Sequence, residues 1–424
     1  MPTFRASALT LTLNALCVVA STVASAAEPA IRVVDCDAPV QSHKRGVCAN
    51  KLGDADFTAL APGVSWWYNW YFEPSSKPPV GVNIDFLPMA WGDNPKYLAG
   101  LEKYLSEGNK PKHILGINEP NLKGQAFITP EETAKLYARI KTVADAHGID
   151  LIGPNMSLGS SAKDSITAED PLENKQITYT FMNPFIKAFL HFADKTPVPS
   201  LGVHSYGNIS ELRWLVGMMH KEFNRPVWVT EFAQWKTANA AAAKEYLVQA
   251  TDLLESSPNI DGYAWFKERS DNKSISLFEA EPGKLSELGQ AYVAMPVHDA
   301  DLFYRIPGTL QAERYTTAKE ADIHVTSDSD GFLQMSGNGK GSSTTYQIQV
   351  PKAGTYTLEL RVSGVKGGAV TVHAGKGAEV KLTADQAGWQ DVTTTVTLPA
   401  GAQQLTLDFP AKGLAVNWLK FGQK

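Results

Sequence analysis

"HILGINEPNL" (residues 113–122) decides how the chain is read. Three apolar residues, Ile114, Leu115 and Ile117, run into Asn118 and Glu119, and Pro120 then stops any regular element. The pattern is that of a short buried strand whose last side chains are an amide and a carboxylate. An unpaired buried charge is costly. Glu119 therefore either sits at an open mouth or has a job.

Seven other runs share the character of this one: "RGVCAN" at 45, "VSWWYNW" at 64, "IDFLPMAW" at 84, "DLIGPNMS" at 150, "SLGVHSYG" at 200, "PVWVTEFA" at 226 and "GYAWF" at 262. Amphipathic stretches separate them. Thr129 and Glu132 form a capping box around Pro130, and Leu136, Tyr137, Ile140 and Val143 repeat on one face before Gly148. A second helix is expected to open at Ser210, with Leu212, Leu215, Val216 and Met219 inward. Apolar strands alternating with such helices imply a parallel sheet covered on its faces. Eight units predict an α/β domain of the (β/α)8 TIM-barrel type over residues 44–293, with an open doubly wound sheet as the alternative. Adjacent Trp66 and Trp67 must point to opposite faces, so at least one is core.

After about residue 305 the period changes. "TYTLELRV" alternates Tyr356, Leu358, Leu360 and Val362 with polar residues, and "QQLTLDF", "TTYQIQV" and "DVTTTVTL" are further strand-like runs. This predicts an all-β sandwich, jelly-roll-like, over 307–424, joined by a linker at 294–306. "GNGKGSS" near 337 is a surface loop, because Gln334 and Gly341 stand where a phosphate loop needs Gly and Ser or Thr.

The chain has 424 residues, a formal charge of -5 and a pI near 6. That length suits two domains, and the charge gives no reason to expect nucleic acid or an anionic membrane as partner. A monomer is expected. Residues 1–26 read as a signal peptide: Arg5 precedes an apolar run, and Ala24-Ser25-Ala26 fits cleavage before Ala27. Secretion or a periplasmic location follows, with 27–43 as an N-terminal segment. Cys36 and Cys48 then remain, and an oxidising compartment favours a bridge between them over two buried thiols.

The strand ends define the working face of such a barrel. In order they offer Tyr68, Asn69 and Trp70; Trp91; Asn118 and Glu119; Asn155; His204 and Tyr206; Thr230 and Glu231; and Trp265. Two carboxylates stand on the fourth and seventh runs among aromatics and amides, with no set of metal ligands. Eight of the ten tryptophans fall between residues 66 and 265, and flat aromatic faces suit sugar rings. Two carboxylates flanking such a cleft are the minimum for glycoside hydrolysis. His204 is either a cleft contact or a satisfied structural histidine.

An Asn-Glu-Pro ending the fourth strand and a Glu ending the seventh resemble the clan A retaining glycoside hydrolases. "KRGVCAN", "GVSWWYNW", "ILGINEPN", "GVHSYG", "VWVTEFA" and "YAWF" together resemble glycoside hydrolase family 128, whose members are mainly β-1,3-glucanases. The resemblance implies an endo-β-1,3-glucanase cleaving β-glucan by double displacement and requiring no cofactor. It makes Glu119 the acid/base and Glu231 the nucleophile. Asn118 would contact the sugar 2-hydroxyl, Tyr206 would hydrogen-bond the nucleophile and Trp265 would form the sugar platform. Tyr68, Asn69, Trp70 and Trp91 would line the non-reducing-side subsites. A β-1,4-glucan or β-mannan substrate is the alternative, as is a non-catalytic polysaccharide-binding barrel, although presence of both glutamates speaks against the latter.

"IPGTLQAERY" and "AVNWLKF" resemble carbohydrate-binding module family 6. That resemblance allows a structural calcium at Gln311 and Glu313, although Ala415 and Val416 lack the acidic residue that would complete the pattern. Asn417 is a candidate sugar contact, while Trp389 and Trp418 lie in strand-like contexts. Sugar binding and a spacer role both remain open for this domain.

Overall fold

The structure, a computed structural model, describes residues 31–423 apart from 365 and 375–377. The expected leader, residues 1–26, lies outside the described residues. The chain starts with β1 (Arg32–Asp35), β2 (Arg45–Cys48), α1 (Asp54–Leu60), β3 (Trp66–Tyr68), β4 (Asp85–Phe86), α2 (Pro95–Ser106) and β5 (His113–Leu115). It continues through α3 (Pro130–Ala146), β6 (Asp150–Ile152), β7 (Asn155–Met156), the hairpin β8 (Thr167–Asp170) and β9 (Lys175–Thr178), and α4 (Met182–Phe192). Then come β10 (Leu201–Ser205), α5 (Ile209–Phe223), β11 (Val227–Phe232), α6 (Ala240–Ser256), β12 (Ile260–Phe266) and α7 (Glu287–Ala294).

All eight runs expected as strands form strands. Seven elements make one parallel sheet in the order β4-β3-β2-β12-β11-β10-β7, and β5 pairs with β6. Parallel bridges Met89–Leu115 and Asn118–Asn155 connect the β5 region to both flanks. The helix signals hold at α3, where Thr129 and Glu132 form the capping box and Pro130 leads. α5 opens two residues earlier than expected: Asn208, not Ser210, caps it by accepting from the Glu211 amide.

Two apolar layers sit on either side of the parallel strands. Trp67 packs outward against Phe57 beneath the helices, while Trp66 joins Tyr68, Leu87, Met89, Leu115, Ile152 and Trp228 inside. Both tryptophans are buried. Two glycines make room for this interior, since a Cβ on Gly46 would stand 2.3 Å from the Trp66 ring and one on Gly262 would stand 2.2 Å from Trp228. At the amino end of the strands a fully buried Arg45 binds Glu255 at 3.3 Å, the Tyr263 hydroxyl, and the carbonyls of Tyr292, Met295 and Pro296. This ties the first strand of the sheet to the last helices.

The second domain holds β13 (Leu302–Arg305), β14 (Gly308–Gln311), β15 (Thr317–Lys319), β16 (Ala321–Val325), β17 (Leu333–Gly337) and β18 (Ser342–Val350). It ends with β19 (Gly354–Ser363), β20 (Ala369–Ala374), β21 (Ala378–Thr383), β22 (Gln390–Leu398), β23 (Gly401–Phe409) and β24 (Ala415–Gln423). They form two sheets, β1-β13-β18-β23-β20-β21 with β15 beside β18, and β16-β17-β24-β19-β22 with β14 beside β24. Tyr356, Leu358, Leu360 and Val362 alternate inward, as the period-two pattern predicts.

Two expectations about the joints need correction. Residues 302–305, expected in the linker, are a strand, and the N-terminal β1 pairs with it in parallel from Arg32–Leu302 to Asp35–Arg305. The segment before the catalytic domain is thus an edge strand of the C-terminal domain. Cys36 and Cys48 are both free and buried. Cys36 Sγ donates to the Arg305 carbonyl and Cys48 Sγ to that of Thr230, so the two thiols serve different domains. Burial pushes the Cys36 thiol up to about 11. Among the described residues no helix is long and apolar enough to cross a membrane.

Candidate active site

A cleft of about 500 Å3 opens where the parallel strands end, lined by Trp70, Trp91, Asn118, Glu119, Leu122, Gln125, Ser157, Tyr206, Glu231, Trp235 and Phe266. Glu119 follows β5 with a left-handed φ of 41°, a conformation non-glycine residues adopt at a cost. Its amide donates to the Asn155 carbonyl at 2.7 Å, which fixes the backbone while the side chain faces the cleft. Glu231 lies in β11 where pairing with β12 shifts register between Val229 and Phe232. Such an irregularity re-aims a side chain.

Three donors converge on Glu231. Tyr68 Oη reaches Oε1 at 3.0 Å, Trp70 Nε1 reaches Oε1 at 2.7 Å, and the Tyr206 hydroxyl donates to Oε2. An ionised carboxylate is acceptor only, so this all-donor shell suits one. Burial, reinforced for Tyr206 by the Glu231 charge, holds both phenols well above their ordinary range and keeps them as donors.

His204 stands between the glutamates. Its Nδ1 is 2.8 Å from Glu119 Oε1 and 3.5 Å from Glu231 Oε2. The register of β10 against β11 shifts between Val203 and His204, and His204 pairs with Glu231. Burial opposes charge on the imidazole, but the Glu231 charge and the bond to Glu119 outweigh it, so its pKa is raised. His204 is thus buried behind the carboxylates and is not among the residues lining the cleft.

Of the residues the sequence nominates, Glu119, Glu231, Asn118, Tyr206, Trp70 and Trp91 line the cleft together. Asn118 Nδ2 donates to Gln125 Oε1 at 3.1 Å, and its Oδ1 has no protein partner. Besides His204, four nominees stand elsewhere. Tyr68 is buried behind Glu231 and positions it without lining a subsite. Asn155 is buried below, its Oδ1 accepting from Thr230 Oγ1 and its Nδ2 donating to the Gly116 carbonyl. Asn69 shapes a turn, accepting from the Tyr71 amide and donating to the Glu73 carbonyl. Trp265 is 1% exposed, packs on Phe232 and Tyr292, and donates to the Ile275 carbonyl. It is core, and Phe266 takes the cleft position expected of it.

Sequence reasoning missed Phe266, Trp235, Leu122, Gln125 and Ser157. Alternation along β12 carries the signal for Phe266: Ala264 joins the inner layer while Tyr263 and Trp265 join the outer, so the next inward residue is Phe266. The other four lie on loops, where no period applies.

Paired carboxylates in an aromatic-lined cleft at the ends of parallel strands define a glycosidase site. Comparison with known proteins agrees. The sequence profile described as glycosyl hydrolase catalytic core matches residues 46–292, and that of carbohydrate binding module family 6 matches residues 311–423. A subgroup II endo-β-1,3-glucanase of family 128 from Sorangium cellulosum is 32% identical, with 60% of this chain and 100% of that chain covered and a TM-score of 0.52. One from Pseudomonas viridiflava is 30% identical, covering 61% of this chain and 100% of its own, with a TM-score of 0.51. Comparison with curated proteins finds no match. The chain belongs to glycoside hydrolase family 128: it is a glycosidase related to endo-β-1,3-glucanases, carrying a C-terminal β-rich carbohydrate-binding module.

Proposed function

We propose that the protein is a retaining endo-β-1,3-glucanase whose eight parallel strands close into a (β/α)8 barrel, with Glu231 as nucleophile and Glu119 as acid/base. The placement of both carboxylates on one nitrogen, His204 Nδ1, carries the reading. Glu119 Oε1 and Glu231 Oε2 can be no farther apart than the sum of their distances to it, 2.8 and 3.5 Å. That bound lies just under the roughly 6.5–9.5 Å by which inverting enzymes separate their carboxyls to admit a water, and so is compatible with retention. Closure is supported by the Met89–Leu115 and Asn118–Asn155 bridges, which link the β5 region to the long sheet on either side. The β-1,3 linkage rests on the two family relatives named above.

In the first step Glu119 gives its proton to the leaving oxygen while Glu231 attacks the anomeric carbon. In the second, Glu119 takes a proton from water as the water oxygen attacks the anomeric carbon, breaking the glycosyl–Glu231 bond and releasing the Glu231 carboxylate. His204 Nδ1 occupies the Glu119 Oε1 side, which leaves Oε2 to carry the proton toward the substrate. Tyr68, Trp70 and Tyr206 hold Glu231 for attack. Export through the N-terminal leader fits a polysaccharide substrate outside the cytoplasm. A structural calcium in the second domain rests on Gln311 Oε1 and Glu313 Oε2, buried oxygens without a hydrogen-bond partner. No group of three or more His, Cys, Asp or Glu that could hold a metal exists among the described residues, so amide and carbonyl oxygens would have to complete the ligand set.

Azide rescue tests the roles. On an aryl β-glucoside with an acidic leaving group, Glu119→Ala should form the glycosyl-enzyme and, with azide, release the β-glycosyl azide. Glu231→Ala should give the α product. The reverse pattern would exchange the roles, and reducing-sugar release from cellulose or mannan but not laminarin would change the substrate.

A further inference from the structure

The C-terminal domain is locked against the helix that leaves the nucleophile's strand. The connection from β11 to α6 starts beside Glu231 and carries Trp235, which is 47% exposed at the cleft. The first turns of α6 therefore lie on the face where the strands end and the cleft opens.

Contacts with the second domain climb α6 toward that face. Asp252, near its far end, accepts from the Tyr315 hydroxyl at 2.8 Å and lies 3.0 Å from His298 Nε2. Higher up, Glu245 holds His324 at 2.6 Å and accepts from the Val325 amide. At the top, Lys244 Nζ stands 4.9 Å from the centre of the Phe332 ring. Lys244 is four residues past the start of α6, roughly 6 Å along its axis. The loop 326–332 thus lies beside the first turns of α6, the end of the helix nearer the cleft.

That loop is braced. Arg361 grips Asp328 with two bonds of 2.7 and 2.8 Å, Asn417 adds a third at 2.9 Å, and Trp418 Nε1 donates to Asp330. Half-buried Trp389 reaches Ser327 at 3.2 Å. Exposed Ser327, Ser329 and Asp330 beside an indole combine hydrogen-bonding groups with an aromatic surface. Hydroxyl-rich, uncharged sugar rings match that chemistry.

We propose that the C-terminal domain extends the substrate cleft: one β-glucan chain held between Glu119 and Glu231 runs past Trp235 onto the edge formed by Trp389 and the loop 326–332. The module is then a fixed continuation of the active site, not a tethered anchor. The proposal rests on the glucanase reading.

Calorimetric titration of the full-length Glu231→Gln protein with short and long laminari-oligosaccharides tests it. Affinity should step up once the oligosaccharide is long enough to reach the second domain. Adding Trp389→Ala should remove that step, weakening long-chain binding about tenfold, within the range of stacking losses. Glu245→Ala, which releases β16 from α6, should blunt the same step with Trp389 intact, and this keeps the test open if Trp389→Ala fails to fold. Long-chain affinity unchanged in folded Trp389→Ala, or no step in the parent, overturns the extension alone. No binding of any β-1,3-glucan by the parent would overturn the substrate reading instead.

Discussion

Nδ1 of His204 lies 2.8 Å from Oε1 of Glu119, a contact between buried groups that also brings the imidazole to 3.5 Å from Glu231. The nitrogen bonds one carboxylate and lies within ion-pair distance of the other, so changes at His204 should alter catalysis without removing either carboxylate.

His204→Asn should lower kcat on laminarin by about 10- to 100-fold, at the low end of what general acid–base catalysis is worth. The loss should shrink on an aryl glucoside with an acidic leaving group, which needs little proton donation. The wild-type imidazole is charged below a pKa raised above 6.5 and loses its charge as pH rises through it. An inflection in kcat/KM on the alkaline side of 6.5 should therefore vanish in the variant. Identical pH profiles would show that His204 merely fills space.

Neighbours on β12 should behave oppositely. Trp265→Ala should cost about 3–5 kcal/mol of stability, the range for a large buried aromatic. Phe266→Ala should leave the melting temperature near wild type and raise KM for laminarin several-fold. A stable Trp265→Ala protein with a KM defect would restore Trp265 as a sugar platform.

Removing residues from 302 onward should destabilise the catalytic domain. The cut strips β13 from β1 and uncovers the face of α6 that packs on β16. A truncated protein melting at the full-length temperature would mean that the docking contacts contribute nothing.

Arg45 and Glu255 form a fully buried pair at the opposite end of the parallel strands. Removing one partner strands the other charge in the interior, so Arg45→Met should lose about 3–5 kcal/mol, read as a shift in the urea midpoint. Arg45→Met with Glu255→Met should recover part of it. No recovery would assign the cost to the carbonyl contacts of the guanidinium.

Burial pushes the Glu313 carboxyl up to about 7. Its folded pKa exceeds the ordinary value of 4.5, so its contribution is fully present below 4.5 and is lost as pH rises through 7. The loss is about 3 kcal/mol. Glu313→Gln should flatten that decline in melting temperature. Calcium would bind only the ionised carboxylate, so added calcium should raise the wild-type melting temperature more at pH 8 than at pH 5, and chelator should reverse it. Equal melting with and without calcium would leave Glu313 a buried acid alone.

Local patterns carried most of this architecture. Eight apolar runs, the Thr129–Glu132 box and the alternation from Tyr356 to Val362 each depend on residues close in sequence, and each was legible. Glu119 and Glu231 were legible because polar groups ending apolar runs stand out. Trp265 was misplaced because one residue of offset reverses the face of a strand. The cysteine bridge failed for a different reason: Cys36 and Cys48 are 12 residues apart, but one packs on β13 and the other beneath β11. Pairing across hundreds of residues leaves no local period, and β1 with β13 is such a pairing.

That pairing sets an order of assembly. Arg305 bonds Asp35 from 270 residues away, and the catalytic domain lies wholly between the two strands. During synthesis β1 emerges before β13, its partner, by which time the parallel strands of the catalytic domain have all been made. Closing so long a loop is slow because its entropy is lost before the contact forms. The seam that β1 makes can therefore close only after the whole catalytic domain has been synthesised.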